Sequence, residues 1–131
     1  MLKINNNEYK VLSSEIKYAQ ATYNNKKGYS ILVSLDIELN NIKGYISFYV
    51  DFFETNDIKN IENKKYIELA TESNSKITMI EILDTKNFID FIDSEINLEF
   101  GNIINNQIKM NLIIDDSLIK LEYNGFLDIK W

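Results

Sequence analysis

The sequence contains no cysteine, histidine, proline or arginine. Without Cys and His, the chain cannot form disulfides, thiol nucleophiles, Ser-His or Cys-His catalytic pairs, or metal sites ligated by sulfur or imidazole. The four glycines form no nucleotide-binding or phosphate-binding motif. The chemistry that remains belongs to carboxylates, lysines and oxygen-ligated cations. We therefore expect a protein that is not an enzyme and that uses no cofactor.

The charge balance is acidic, with 20 Asp and Glu residues against 14 Lys, a net charge of −6 and a pI near 4.7. The lysines are scattered along the chain, and Arg, which makes bidentate contacts to phosphate and guanine, is missing. These features argue against nucleic acid as a partner. The acidity favours a basic protein partner through long-range attraction, although a modest net charge also serves solubility.

The length of 131 residues fits one domain, which we place at residues 1–131 because no linker, repeat or low-complexity segment divides the chain. No apolar run approaches the about 20 residues that a membrane-spanning helix needs, and residues 1–7 lack the apolar segment of a signal peptide. We expect a cytoplasmic protein without membrane contact. The abundance of Ile, Lys and Asn, whose codons are A/T-rich, indicates an A/T-rich genome. We expect a protein of bacterial or phage type.

The clearest structural signal is a period-two alternation of apolar and polar residues from residue 29 to residue 53. A turn at Asn40-Asn41 brings apolar residues opposite one another on one face. That face pairs Leu39 with Ile42, Ile37 with Gly44, Leu35 with Ile46, Val33 with Phe48, Ile31 with Val50 and Tyr29 with Phe52. The other face pairs Glu38 with Lys43, Asp36 with Tyr45, Ser34 with Ser47 and Leu32 with Tyr49. A slip of one residue would destroy both patterns, so the register is strongly specified.

A second hairpin is predicted over residues 108–123, with Asp115-Asp116 as its turn. This register pairs Leu112 with Ile119, Met110 with Leu121 and Ile108 with Tyr123, and on the far face Lys109 with Glu122. Asn124-Gly125 is then predicted to be a turn or a bulge before a final strand that ends at Trp131.

The remaining segments give shorter signals. An N-terminal hairpin would pair Leu2 with Val11 and Ile4 with Tyr9 across Asn6-Asn7. Further strands are predicted at 16–23, 67–71, 77–83 and 95–100, and short helices are predicted from Thr55 or Asn56 to Ile61 and from Asp84 or Thr85 to Ile92. Together these elements predict a mainly β fold, an antiparallel β-sandwich or barrel-like sheet of about 8–10 strands with one or two short helices.

Two groups of carboxylates are candidates for chemistry. Asp36, Glu38, Asp51 and Glu54 could supply the acid and base of a glycoside hydrolase, but strands expose carboxylates routinely and the chain is short for a walled substrate cleft. Asp90, Asp93 and Glu95, or the pair Asp115-Asp116, could ligate Ca²⁺, but neither group matches the calcium-binding loop. We therefore expect neither catalysis nor a metal site at these positions.

The candidate binding surface is the outward face of the first hairpin. Its members are Leu32, Asp36, Tyr45, Tyr49 and Phe53. Three aromatic residues lie opposite the core face, and two explanations for them are open. The face is either buried under a helix at residues 88–92 or a second sheet, or it is a binding platform, a use for which the rigid, amphipathic Tyr side chain is well suited.

The absence of catalytic groups and the presence of this face together predict a non-catalytic protein-binding domain. Such a domain would serve as an inhibitor, an immunity factor or an assembly component, and its oligomeric state is left open. A carbohydrate-binding module is one alternative, because exposed Tyr side chains and Asn-rich loops suit sugar binding. A structural protein of a virion or other assembly, with edge strands that pair between subunits, is the other.

Overall fold

A computed structural model describes residues 1–69, 76–84, 87–89, 95–115 and 120–131 of the chain. These residues form one antiparallel sheet that curls into a barrel-like shape. Its strands are β1 (Leu2–Ile4), β2 (Asn7–Tyr23), β3 (Lys26–Leu39), β4 (Ile42–Phe53), β5 (Lys65–Leu69), β6 (Ile77–Asp84), β7 (Asn87–Ile89), β8 (Glu95–Ile104), β9 (Gln107–Asp115) and β10 (Lys120–Ile129). The prediction of a mainly β, barrel-like sheet is therefore confirmed.

The strand order in the sheet is β5-β8-β9-β10-β1-β2-β3-β4-β6-β7. Strand β1 is only three residues long and lies antiparallel to both β10 and β2. Past its end, β10 pairs directly with β2 in parallel, with Ile129 opposite Ile16. No helix in the described part of the chain has the length and apolar content needed to cross a bilayer.

The β3–β4 hairpin follows the predicted register over most of its length. All pairs from Leu39–Ile42 to Ile31–Val50 are present, as are the four predicted pairs of the other face. The prediction fails at the far end, where Tyr29 faces Phe53 instead of Phe52. The cause is a β-bulge at Asp51, whose φ of 54° lies in the left-handed region and inserts one extra residue into β4.

Four hairpin turns have the same residue types and the same backbone conformation. Each is a pair of asparagines with positive φ, a conformation that two-residue hairpin turns require and that Asn adopts more readily than other non-glycine residues. These turns are Asn5-Asn6, Asn24-Asn25, Asn40-Asn41 and Asn105-Asn106. The N-terminal turn therefore lies one residue earlier than predicted, and Leu2 pairs with Tyr9 rather than with Val11.

The predicted register of the C-terminal hairpin is wrong by four residues. Ile108 faces Leu127, Met110 faces Gly125 and Leu112 faces Tyr123. The predicted register would have carried Leu127 past the Asn105-Asn106 turn, beyond the start of β9. The observed one gives Leu127 a partner on β9 and makes β10 a continuous strand, so Asn124-Gly125 forms neither a turn nor a break.

The helix predictions are half right. The first helix is present as a 3₁₀ turn, Ile58–Ile61, whose start is capped by the Asp57 carboxylate accepting from the backbone N–H of Lys59 at 3.0 Å. The second prediction is wrong at Asn87–Ile89, which pair with β6 as strand β7 and gain ladder hydrogen bonds there. Residues 85–86 and 90–92 of that predicted helix lie outside the described residues, as do residues 70–71 of the predicted strand at 67–71.

The core is a single hydrophobic cluster on the inner face of the curled sheet. It includes Phe48 of β4 and Phe100 of β8, each about 1% exposed. The 3₁₀ turn contributes the fully buried Ile61 to the same cluster. The segment after it is fixed to β8, because the backbone N–H of Ile103 donates to Glu62 Oε1 at 3.1 Å. Ile61 thus anchors the chain between β4 and β5 to the core.

Candidate functional site

Four of the five predicted site residues lie together on the outward face of β3 and β4. Leu32 is paired with Tyr49, and Asp36 with Tyr45. Leu32, Tyr45 and Tyr49 are each partly exposed, and Asp36 is exposed. Ser13 Oγ of β2 donates to Asp36 Oδ2 at 2.8 Å, which fixes this carboxylate across the neighbouring strand. The face is thus half-exposed rather than sealed inside a core.

The fifth residue, Phe53, does not belong to this face. The bulge at Asp51 reverses the alternation of β4, so Phe53 faces Tyr29 and packs against the hydrophobic core. Phe52 takes the outward position in its place. Its ring lies over Gly28 of β3, where an added Cβ would come within 2.5 Å of Phe52 Cζ. Glycine at position 28 therefore allows the Phe52 ring to pack flat against the sheet.

The outward face continues to the tip of the β2–β3 hairpin. Tyr23, next to the Asn24-Asn25 turn, lies with its ring centroid 5.8 Å from that of Phe52, and its side chain is 57% exposed. We call Tyr45, Tyr49, Phe52 and Tyr23 the outer aromatic stripe. The sequence predicted Tyr45 and Tyr49. Phe52 was missed because the Asp51 bulge exchanges Phe53 for Phe52, and Tyr23 joins the stripe only through the pairing of β2 with β3.

The tip of the β2–β3 hairpin extends beyond the end of β10. The last β10 pair is Ile129–Ile16, followed by the backbone N–H of Lys130 donating to the carbonyl of Ile16 at 2.9 Å. Strand β2 continues for seven more residues, from residue 17 to residue 23, paired with β3. We call residues 18–29 the arm. Two-stranded ribbons are only marginally stable alone, so packing contacts must hold it.

Aromatic side chains on the inner side of the arm supply these contacts. The Tyr18 ring lies edge-on to Tyr29 at 5.3 Å and to Trp131 at 5.1 Å between centroids. The indole N–H of Trp131 donates to the carbonyl of Asn56, in the segment that follows β4. Tyr18 and Trp131 remain 36% and 40% exposed. Trp131 thus ties the arm and the chain terminus together while keeping an open aromatic surface.

A cleft of about 520 Å³ opens beside this cluster. Its wall is formed by Gln20, Ala21, Thr22, Lys27, Gly28, Tyr29 and Glu54. Lys26 Nζ lies 3.6 Å from Glu54 Oε1 at its rim, an exposed ion pair of small energetic weight. The lining combines one aromatic ring with amide, hydroxyl, ammonium and carboxylate groups. No sequence pattern predicts this cleft, because its residues converge only in the paired strands.

A second polar cluster joins β4, β5 and the start of β6. The Tyr66 hydroxyl donates to Asp51 Oδ2 at 3.0 Å, and Lys76 Nζ lies 3.9 Å from Asp51 Oδ1. Glu68 Oε2 accepts from the backbone N–H groups of Lys76 and Ile77 at 2.8 and 3.0 Å. Since β5 begins the strand order and β6 lies near its other end, these bonds link the two sides of the curled sheet.

Burial raises the pKa of Tyr66 far above its ordinary value, and the Asp51 carboxylate raises it further, because both oppose the phenolate. Asp51 also accepts from the backbone N–H of Phe52 at 2.7 Å. Because its two oxygens accept from Phe52 and Tyr66, Asp51 stabilises both the bulge in β4 and the contact between β4 and β5. This carboxylate therefore has a structural role.

The other candidate carboxylates are dispersed. Glu38 faces Lys43 across the hairpin, Asp36 is bound by Ser13, and Glu54 is paired with Lys26. Within the described residues, no group of three or more Asp or Glu side chains is arranged to hold a metal ion. Of the acidic residues considered for Ca²⁺, positions 90, 93 and 116 lie outside the described residues.

Comparison with known proteins gives no relative. No family model matches the chain, and neither a curated protein nor a solved structure is similar to it. The functional argument consequently rests on two surfaces that the described residues form, the outer aromatic stripe and the cleft beside the arm.

Proposed function

We propose that the chain is a non-catalytic binding module that engages a protein partner through the outer aromatic stripe. The observation that carries this proposal is the placement of Tyr45, Tyr49, Phe52 and Tyr23 on one outward face, which runs along β4 to the arm. Aromatic side chains supply most of the binding energy at protein interfaces, because they bury large areas with little loss of rotamer entropy.

The polar surroundings of the stripe suit a protein interface. The half-buried Ser34 and Ser47 lie between Tyr45 and Tyr49, and Asp36 lies beside Tyr45, so hydroxyl and carboxylate groups that can hydrogen-bond a partner alternate with the aromatic rings. The net charge of −6 would attract a partner with a basic surface and speed its association at low salt. An inhibitor, an immunity factor or an assembly component would each use such a surface.

Assembly through a sheet edge is a second candidate function, supported by β5. This strand lies at one end of the strand order, and two of its side chains, Ile67 and Leu69, are 63% and 45% exposed. Exposed apolar edge strands favour pairing between subunits. In this case sedimentation velocity would show a larger species as concentration rises, and Ile67→Lys would abolish it while Tyr49→Ala would not.

The experiment that tests the proposed function is affinity capture followed by reconstitution. The wild-type chain, the Tyr23→Ala/Tyr49→Ala variant and the Ile113→Ala variant are each used to capture proteins from lysate of the source organism. Ile113 is a matched control, since it is an exposed apolar residue on β9, away from the stripe. The purified candidate partner is then titrated into each variant by calorimetry.

We expect a partner that binds the wild type and the Ile113→Ala variant equally, and the double variant at least about 100-fold more weakly, as loss of two interface aromatics implies. Equal binding to all three chains would refute the role of the stripe. A hydrolytic activity that disappears on replacement of a single carboxylate would refute the non-catalytic function.

A further inference from the structure

We infer that the cleft beside the arm binds an uncharged saccharide, a ligand site separate from the outer aromatic stripe. The cleft lies on the inner side of the β2–β3 hairpin, because Gln20 and Thr22 face Tyr29 and Lys27 in the strand register, on the same side of the sheet as the core residues Ile16 and Ile31. The aromatic rings of the stripe lie on the opposite side, and the two sites meet only at Gly28, which lines the cleft and also carries the Phe52 ring on its outer side. Substitutions at Gln20 and Thr22 therefore test the cleft without altering the stripe.

The size of the cleft suits a small ligand. Pockets that bind small molecules measure about 300–1,000 Å³, and this cleft measures about 520 Å³. It is open to solvent along the arm, and Gln20, Thr22, Lys27 and Glu54 are exposed. A shallow, open cleft of this kind accepts one or two rings of a longer molecule from the side and does not need to enclose it.

The chemistry of the lining favours a neutral ligand rich in hydroxyl groups. The Gln20 amide donates and accepts, the Thr22 hydroxyl does both, Lys27 donates and Glu54 accepts. Sugar hydroxyls, which are donors and acceptors at once, can satisfy all four groups. At the rim the Glu54 carboxylate is already paired with Lys26, so Lys27 is the one further charged group among the described residues of the lining. A sugar hydroxyl can accept from Lys27 without placing a second charge beside the Lys26–Glu54 pair.

The aromatic component completes the argument. Tyr29 lines the cleft, and Tyr18 meets it edge-on at 5.3 Å, which restrains the Tyr29 ring. A restrained aromatic ring next to polar side chains can bind the apolar C–H face of a sugar ring while the hydroxyls reach the polar groups. Trp131, in contact with Tyr18, extends this aromatic surface.

Fluorescence provides a direct test, because Trp131 is the only tryptophan of the chain. The wild-type protein is titrated with neutral disaccharides (maltose, cellobiose, lactose and diacetylchitobiose), and with glucosamine and glucuronate as cationic and anionic comparisons. Binding is confirmed by backbone amide chemical shifts. The variants are Gln20→Ala and Thr22→Val, whose exposed positions leave folding intact, with Ile113→Ala, at an exposed position of β9 outside both sites, as the control.

We expect at least one neutral disaccharide to give a saturable change at millimolar concentration, with amide shifts on residues 18–29. Gln20→Ala and Thr22→Val each weaken this binding about tenfold through loss of one hydrogen-bonding side chain, and Ile113→Ala leaves it unchanged. The inference is overturned if no neutral disaccharide binds the folded chain, if glucosamine or glucuronate binds more tightly, or if the shifts lie away from both the arm and Glu54.

Discussion

Two adjacent residues of β4 separate the core face of the sheet from its outer face. Phe48 is 1% exposed and lies opposite Val33, whereas Tyr49 lies on the outward side opposite Leu32 and is partly exposed. Phe48→Ala removes a fully buried ring from close-packed surroundings, and we expect it to lower the free energy of unfolding by about 3–5 kcal/mol. Tyr49→Ala removes a ring that water already reaches, and we expect a loss of about 1 kcal/mol.

The assay is urea denaturation followed by circular dichroism. With an m-value of about 1.5 kcal/mol/M, a loss of about 4 kcal/mol moves the unfolding midpoint of Phe48→Ala down by about 2.5 M, and Tyr49→Ala moves it by less than about 1 M. If Phe48→Ala does not fold, Phe48→Leu provides a milder core deletion. Equal losses at positions 48 and 49 would show that both faces are buried and would remove the basis of the proposed interface.

Three further predictions concern the bulge, the glycines and the turns. Tyr66→Phe removes the hydrogen bond to Asp51, and we expect a loss of about 1–3 kcal/mol in urea denaturation. Because the pKa of Tyr66 is raised in the folded state, the unfolded chain releases this proton first as the pH rises. The stability of the wild type is therefore fully present below pH 10.0, and above it falls more steeply with pH than the stability of Tyr66→Phe. Parallel slopes for the two proteins would contradict this. Gly28→Ala places a Cβ against the Phe52 ring, whereas the Cβ of Gly101→Ala would meet the Lys109 side chain at 3.2 Å. We therefore expect Gly28→Ala to lower the melting temperature more than Gly101→Ala. The reverse order in thermal unfolding would count against the packing of Phe52. At Asn41, where φ is 66°, we expect Asn41→Gly to be neutral or stabilising and Asn41→Val to lose about 1–2 kcal/mol, and equal melting temperatures would contradict the turn assignment.

The sequence was most informative where both faces of a hairpin constrain the register. In β3 and β4 the apolar face and the matched pair Glu38–Lys43 allow one alignment, and the structure has it. The C-terminal hairpin was misaligned by four residues because an even shift keeps every side chain on its own face. Only the burial of Leu127 and Ile129 against neighbouring strands distinguishes the two registers, and this is a tertiary property.

The candidate site was partly predictable for the same reason. Leu32, Asp36, Tyr45 and Tyr49 follow from the alternation, but Phe53 was misplaced by a bulge that depends on Asp51 contacting Tyr66, a residue of β5. The cleft was not predictable, since it requires Tyr29, Gln20 and Glu54 to converge from three segments. Likewise, no local sequence pattern predicts that the Trp131 ring packs against the Tyr18 ring.

The most direct test of the proposed interface is the chemical-shift footprint of the purified partner on the isotope-labelled chain. The account predicts that the amide shifts concentrate on β3, β4 and the arm, around Tyr45, Tyr49, Phe52 and Tyr23, and that Tyr23→Ala/Tyr49→Ala abolishes them. A footprint centred on β5, β8 and β9, unchanged in the double variant, would contradict it and would place the interface at the edge that carries Ile67 and Leu69.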